Sequence, residues 1–225
     1  MAIVISITNQ KGGTGKTTVT MQLAGSLARR RAGRGSKLNR VLVVDADPQG
    51  TATRWAASAA EEYPFPAAVV GLSAASDKVH REVKKFMDDY DYILIDCPPA
   101  ADSPIPQSAL LISDLALVPL TPSPLDMWAA VGIKQIILNI SEINETLQSR
   151  LVINQCQPQT TLAQECLDIL PEFGIPLART FLRQRQVYRQ CPLFGQSVHD
   201  FGNKAKAATA EVEALTGEIL KLLKP

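Results

Sequence analysis

Between the apolar run Ala2–Ile7 and a helix-forming stretch that begins at about Lys16, the chain reads TNQKGGTGKTT, Thr8 to Thr18. Few segments limit a fold as tightly. Three glycines and two lysines fall within six residues. Glycine lets a backbone adopt positive φ and come close to a ligand. Lys11 and Lys16 would repel each other unless something negative stands between them. A buried strand, a glycine loop and a helix N-terminus in succession make a cradle for an anion, because the loop N–H groups and the helix dipole all present positive charge.

The rest of the chain supplies the frame for such a loop. Ala2–Ile7, Arg40–Val44, Tyr92–Ile95, Leu115–Leu120 and Leu151–Asn154 read as strands apolar on both faces, with Ala67–Leu72 a weaker candidate. Helical composition fills Lys16–Arg31, Asp77–Tyr90, Leu125–Asn139 and Thr161–Phe173. This alternation predicts an α/β fold, a mostly parallel twisted sheet with helices on both faces. A last helix, about Lys204–Leu223, places Ala208, Val212, Leu215, Ile219 and Leu222 on one stripe, which suits docking on the domain. With no repeat or linker in 225 residues, one domain over 1–225 is the expected count.

Composition excludes some functions. Net charge is +1, with no global excess pointing to nucleic acid or membrane. Yet Arg29–Arg40 alone carries six basic residues and no acid, leaving −5 for the remainder. Cys97, Cys156, Cys166 and Cys191 show neither CxxC nor Cys/His ligand spacing and read as unpaired thiols of a reducing cytoplasm. No run reaches the ~18 apolar residues of a membrane span.

The anion can be specified further. KGGTGKTT follows the phosphate-loop pattern GxxxxGK[ST] except that Gln10 stands where the first glycine belongs. Lys16 can reach β- and γ-phosphates, and the Thr17 hydroxyl can ligate Mg²⁺. YILIDCPP ends a strand in Asp96, a carboxylate placed to support the metal. VLVVDADPQG ends another in Asp45 and Asp47, where Pro48 and Gly50 turn the chain away.

These three motifs, in this order and spacing, resemble the deviant Walker-A, A′ and B motifs of the ParA/MinD family of P-loop ATPases. The resemblance extends through LVPLTPSPLDMWAAVGI and LVINQ. It implies ATP and Mg²⁺ as cofactors and an ATP-sandwich homodimer, in which Lys11 of each loop reaches the phosphates held by the other subunit. It further implies that Gly12, Gly13, Thr14, Gly15, Lys16, Thr17 and Thr18 cradle phosphate and metal. Asp47 would orient or activate the attacking water beside Asp45 and lie near the metal with Thr17 and Asp96, and Asn154 would contact adenine. Hydrolysis is expected to be slow until a partner completes the site.

Within the family the chain looks most like a small ParA partition ATPase. Its loop strand begins at residue 2, so no DNA-reading domain is expected ahead of it, and paired or CxxC cysteines of iron–sulfur members are missing. The expected partners are a second copy, non-specific DNA and a centromere-binding ParB/ParG-like adaptor. The expected location is the cytoplasm, on the nucleoid when ATP is bound. Two basic patches could meet DNA, Arg179, Arg183, Arg185 and Arg189 in one, Arg29–Arg40 in the other. The alternative is a positioning or assembly ATPase acting on a protein cargo. A MinD-like membrane ATPase fits less well, because the ending TGEILKLLKP carries only Lys221 and Lys224, and no membrane partner is expected.

Overall fold

The computed structural model describes residues 1–31, 37–99 and 103–223. Arg34, residues 100–102 of the proline-rich stretch and Lys224 therefore lie outside the described residues.

Among the described residues six strands and eight α-helices follow one another: β1 (Ile3–Ile7), α1 (Lys16–Ala28), β2 (Val41–Asp45), α2 (Thr51–Ala57), β3 (Ala68–Gly71), α3 (Val79–Lys84), β4 (Tyr92–Asp96), α4 (Ile105–Leu110), β5 (Leu115–Leu120), α5 (Pro124–Ser141), β6 (Gln148–Ile153), α6 (Thr161–Ile169), α7 (Gln186–Gln190) and α8 (Lys206–Leu222). The strands form one parallel sheet in the order β3-β2-β4-β1-β5-β6. The α/β expectation holds, and its physical cause is visible in the buried strands. Successive residues alternate between two cores. Val41 and Val43 face α1 and α8, while Leu42 and Val44 face α3 and α4. In β5, Leu115 and Leu117 point to the first core, and Ala116, Val118 and Leu120 pack under α5. A strand buried on both sides has no polar position to spare, which is why these runs read as continuous.

Register positions the site. Asp96 lies level with both Ile7 and Asp45, and Leu117 is level with Ile7. The carboxyl ends of β1, β2, β4 and β5 thus form one rim. The chain leaves β1 toward β2 on one side and crosses from β4 to β5 on the other, so the loop after β1 sits where strand order reverses, the usual ligand crevice of open α/β sheets.

The helix expected over Asp77–Tyr90 is shorter. A 3₁₀ turn, Ser73–Lys78, holds Ser76 at φ 49°, and α3 stops at Lys84. Bonds from Lys85, Phe86 and Met87 to the third residue back tighten the chain. Phe86 and Met87 then pack on the core as the Met87 carbonyl accepts from Ala2 N–H, contacts invisible to composition. Likewise α6 gives way to 3₁₀ at Leu170–Phe173, where a proline at 171 has no N–H to continue it. The terminal stripe docks as expected, with Ala208, Val212, Leu215 and Ile219 buried in the first core. Among the described residues no helix is long and apolar enough to cross a membrane.

Candidate functional site

β1 delivers the chain to the rim at Thr8 and Asn9, both buried. Asn9 braces the loop: its Nδ2 donates to Pro119 O (2.8 Å) and its Oδ1 accepts from Lys11 N–H (3.2 Å). Gly13 (φ 80°) and Gly15 (φ 86°) take the left-handed conformation that other residues resist. Gly15 is also crowded, since a Cβ there would lie 2.1 Å from Asn154 Nδ2. Around Gly12 and Gly13 the space is open, as a ligand cradle requires.

Two amides at the end of β6 grip the loop from outside. Asn154 Nδ2 donates to Thr14 O and Gln155 Nε2 to Gly13 O, each at 2.8 Å. Gln155 does so from φ 53°, one of two non-glycine residues with positive φ among those described. Such strain of about 1 kcal/mol persists where surroundings over-determine a site. Among the described residues, Gly12 to Gly15 donate no N–H to a protein acceptor. These donors, with the first turn of α1, are left for an anion.

The two lysines part company. Buried Lys16 points inward and donates to Lys11 O at 2.9 Å. Desolvation lowers its pKa, against the pull of Asp96, Cys97 and Asp47. Lys11 turns outward to Asp126 Oδ2, 2.6 Å away in the first turn of α5. Burial acts to raise the Asp126 carboxyl, but hydrogen bonds from Lys11, Ser123 and Thr121 hold it below the usual range. Each ammonium has its own partner, the Lys11 carbonyl for one and the Asp126 carboxylate for the other. Gln10, in the place of the missing glycine, lies over Gly132 of α5, where a Cβ would be 1.9 Å from its Oε1.

The acids separate into distinct roles. Asp96 is fully buried; Thr17 Oγ1 donates to its Oδ2 at 2.6 Å and Thr20 Oγ1 to its Oδ1 at 3.4 Å. Desolvation drives its pKa up to about 7, aided by Asp45 and Asp47 and opposed by Thr17 and Lys16. A carboxylate so short of positive charge, paired with a threonine hydroxyl, is the donor set a hard divalent cation takes. Asp45 is spent on structure: its Oδ2 accepts from Thr53 N–H and Oγ1 (both 2.8 Å), its Oδ1 from Asp47 N–H (3.3 Å). It shapes the turn that presents Asp47. Half-buried Asp47 engages Gln49 N–H through Oδ1 only (2.9 Å).

Next to Thr18 a small pocket of about 170 Å³ opens between Asn154, Gln155, Arg183, Tyr188 and Arg189. The Asn154 amide has committed one N–H to Thr14 and one Oδ1 lone pair to Gln155 N–H. It keeps one donor and one acceptor, the pair that matches N6 and N7 of adenine.

The arginines do not form one free patch. Arg179, Arg183 and Arg189 are exposed, but Arg185 is bound to Glu211 at 2.5 Å, and Arg183 Nε is 3.8 Å from the same carboxylate. In the other basic segment Arg29 pairs with Asp200 (2.6 Å) and Arg30 with Glu213 (2.5 Å).

Sequence reasoning missed Asp126, Gln155 and Glu211. Only Asp126 left a local trace: Ser123 and Asp126 are spaced as a helix-capping pair, and Ser123 Oγ does accept from Asp126 N–H at 3.2 Å.

Known proteins resemble this chain in sequence and in fold. The profile of the "CobQ/CobB/MinD/ParA nucleotide binding domain" matches residues 5–198. "Maintenance of carboxysome distribution protein A" of Halothiobacillus neapolitanus is 31% identical over 219 residues, 97% of each chain. "Chromosome-partitioning ATPase Soj" of Thermus thermophilus is 28% identical over 227 residues, 86% of each chain. Among solved structures, an ATP complex of a McdA variant from Cyanothece superposes with a TM-score of 0.79, covering 97% of this chain and 96% of that one, at 17% identity, a likeness of fold.

Proposed function

The chain belongs to the CobQ/CobB/MinD/ParA nucleotide-binding family, and from that premise we propose that it is a ParA-type ATPase that distributes a protein cargo. The observation that carries the cargo reading is the end-to-end match, 31% over 97% of both chains, to a protein named for carboxysome distribution. This favours the positioning alternative over DNA partition as the main role. The paired state of Arg185, Arg29 and Arg30 agrees, since it thins both basic patches that a DNA-centred role would use.

ATP, with Mg²⁺ to neutralise its phosphates, would supply a phosphoanhydride bond whose cleavage drives the cycle. The residues present fit them. The N–H groups of Gly12–Gly15, which have no protein acceptor among the described residues, would hold phosphate oxygens, and Lys16, beside the Lys11 carbonyl, would add its charge there. Thr17 and Asp96 would hold the metal, and the uncommitted oxygen of Asp47 would orient water. Lys11 leaves Asp126 to complete a site on the second copy, which makes the homodimer the ATP-bound state. Turnover is expected to be slow until a cargo-bound adaptor docks and completes the site. The apolar stripe of α8 is spent on the core and gives the membrane-associated reading no support.

Deleting the gene in the source organism tests this. Displaced protein assemblies with faithful replicon inheritance support cargo positioning. Replicon loss with normally placed assemblies overturns it in favour of partition, the second reading, which rests on the 28% match to Soj and the exposed Arg179, Arg183 and Arg189. DNA co-sedimentation with ATP, ADP and no nucleotide across a salt series then reports whether DNA serves as a track. ATP-dependent, salt-sensitive retention is the expected result.

A further inference from the structure

Glu211, on the outer side of α8, collects donors from one short stretch of chain. Its Oε1 accepts from Arg185 Nε (3.0 Å) and Nη2 (2.5 Å); its Oε2 accepts from Arg183 N–H and Tyr188 Oη (both 3.2 Å). Its side chain is only 13% exposed. The same stretch is held to the end of β6 by backbone bonds, Leu182 N–H to Ile153 O (2.9 Å), Cys156 N–H to Leu182 O (3.0 Å) and Gln184 N–H to Cys156 O (3.0 Å). Arg183, Tyr188 and Arg189 are thereby set as one wall of the pocket whose other wall is Thr18, Asn154 and Gln155. Neither lysine nor any glycine of the phosphate loop lines that pocket.

We infer that Glu211 is a positioning residue for the nucleotide base: it fixes the Arg183–Arg189 wall so that a planar purine is held between that wall and Asn154. The inference rests on the reading that the loop binds ATP. Its chemistry is independent of phosphate. Two charge-assisted contacts from a rigid guanidinium fork and one from a buried phenol pin a segment that otherwise presents only long, freely rotating side chains. A segment that reads as a nucleic-acid patch is thereby turned to face the base, with one of its arginines neutralised.

Isothermal titration of the full chain with Mg-ATP and with inorganic tripolyphosphate separates the two halves of the site. Glu211→Gln is expected to weaken ATP about tenfold, the order of one lost charge-assisted contact, and to leave tripolyphosphate within about twofold. Arg185→Gln, a substitution of a partly exposed side chain, is expected to act in the same direction and serves if Glu211→Gln melts at assay temperature. Unchanged ATP affinity, or equal weakening of both ligands, overturns the inference and leaves the phosphate site standing. Failure of the unmodified chain to bind ATP overturns both.

Discussion

Replacing Asp126 with asparagine should strengthen the ATP-dependent dimer. Lys11 is held 2.6 Å from Asp126, with the lysine side chain 34% exposed and the aspartate side chain 7%. Two unit charges at that distance attract by ~6 kcal/mol at an effective dielectric of about 20. Desolvation and the partial exposure of Lys11 reduce the net value to about 1 kcal/mol. Two such pairs must break when two subunits exchange lysines. Removing the competing charge should therefore favour the dimer by about 2 kcal/mol, a ~30-fold rise in its association constant. Asparagine retains an oxygen for Ser123 Oγ, so α5 keeps most of its cap. Sedimentation equilibrium with ATP, in an Asp47→Ala background chosen to slow hydrolysis, measures the constant directly. An unchanged or weaker dimer at unaltered melting temperature would refute the view that Asp126 competes with phosphate for Lys11.

Further expectations concern the loop and the buried acid. Gly15→Ala should cost about 2–4 kcal/mol in thermal unfolding and abolish ATP binding by titration, because its Cβ would sit 2.1 Å from Asn154 Nδ2 at a φ of +86°. Lys11→Ala should leave ATP affinity within about threefold, since Lys16 and the loop N–H groups remain, while eliminating the dimer and phosphate release. Burial raises Asp96 to about 7, so its proton stabilises the folded, metal-free chain below the ordinary carboxylate range, and that contribution is lost as pH climbs through about 7. Stability to unfolding in chelator should fall between pH ~4 and ~7 with a slope of up to about 1.4 kcal/mol per unit, and Asp96→Asn should flatten it; an equal slope in the variant would assign the effect elsewhere.

Much of the architecture was legible because its determinants are local. Continuous apolar runs of strand length, such as VLVV and YILI, require burial on both faces and hence a parallel sheet with two helical layers. KGGTGKTT carries its own conformational instructions, and positive φ at Gly13 and Gly15 follows from residue type. What misled was composition without packing. The stretch Asp77–Tyr90 has helix-forming residues, yet Phe86 and Met87 gain more by folding onto the core beside Ala2 than by extending α3. Asp45 and Asp47, two residues apart and alike on paper, diverge because only the first meets the opening turn of α2.

The succession of strands and helices along the chain, the glycine cradle and the identity of the acids at the strand ends were thus determined by the sequence itself, through hydrophobic pattern and backbone freedom acting over a few residues. The tertiary structure alone decided which charges meet. Lys11 finds Asp126 across 115 positions, Gln155 reaches back 142 to Gly13, and Arg185 is neutralised from α8, 26 positions away. The reason is physical: an ion pair or amide contact depends on distances of 2.5–2.8 Å, and those are set by how whole strands and helices pack, which no spacing along the chain encodes.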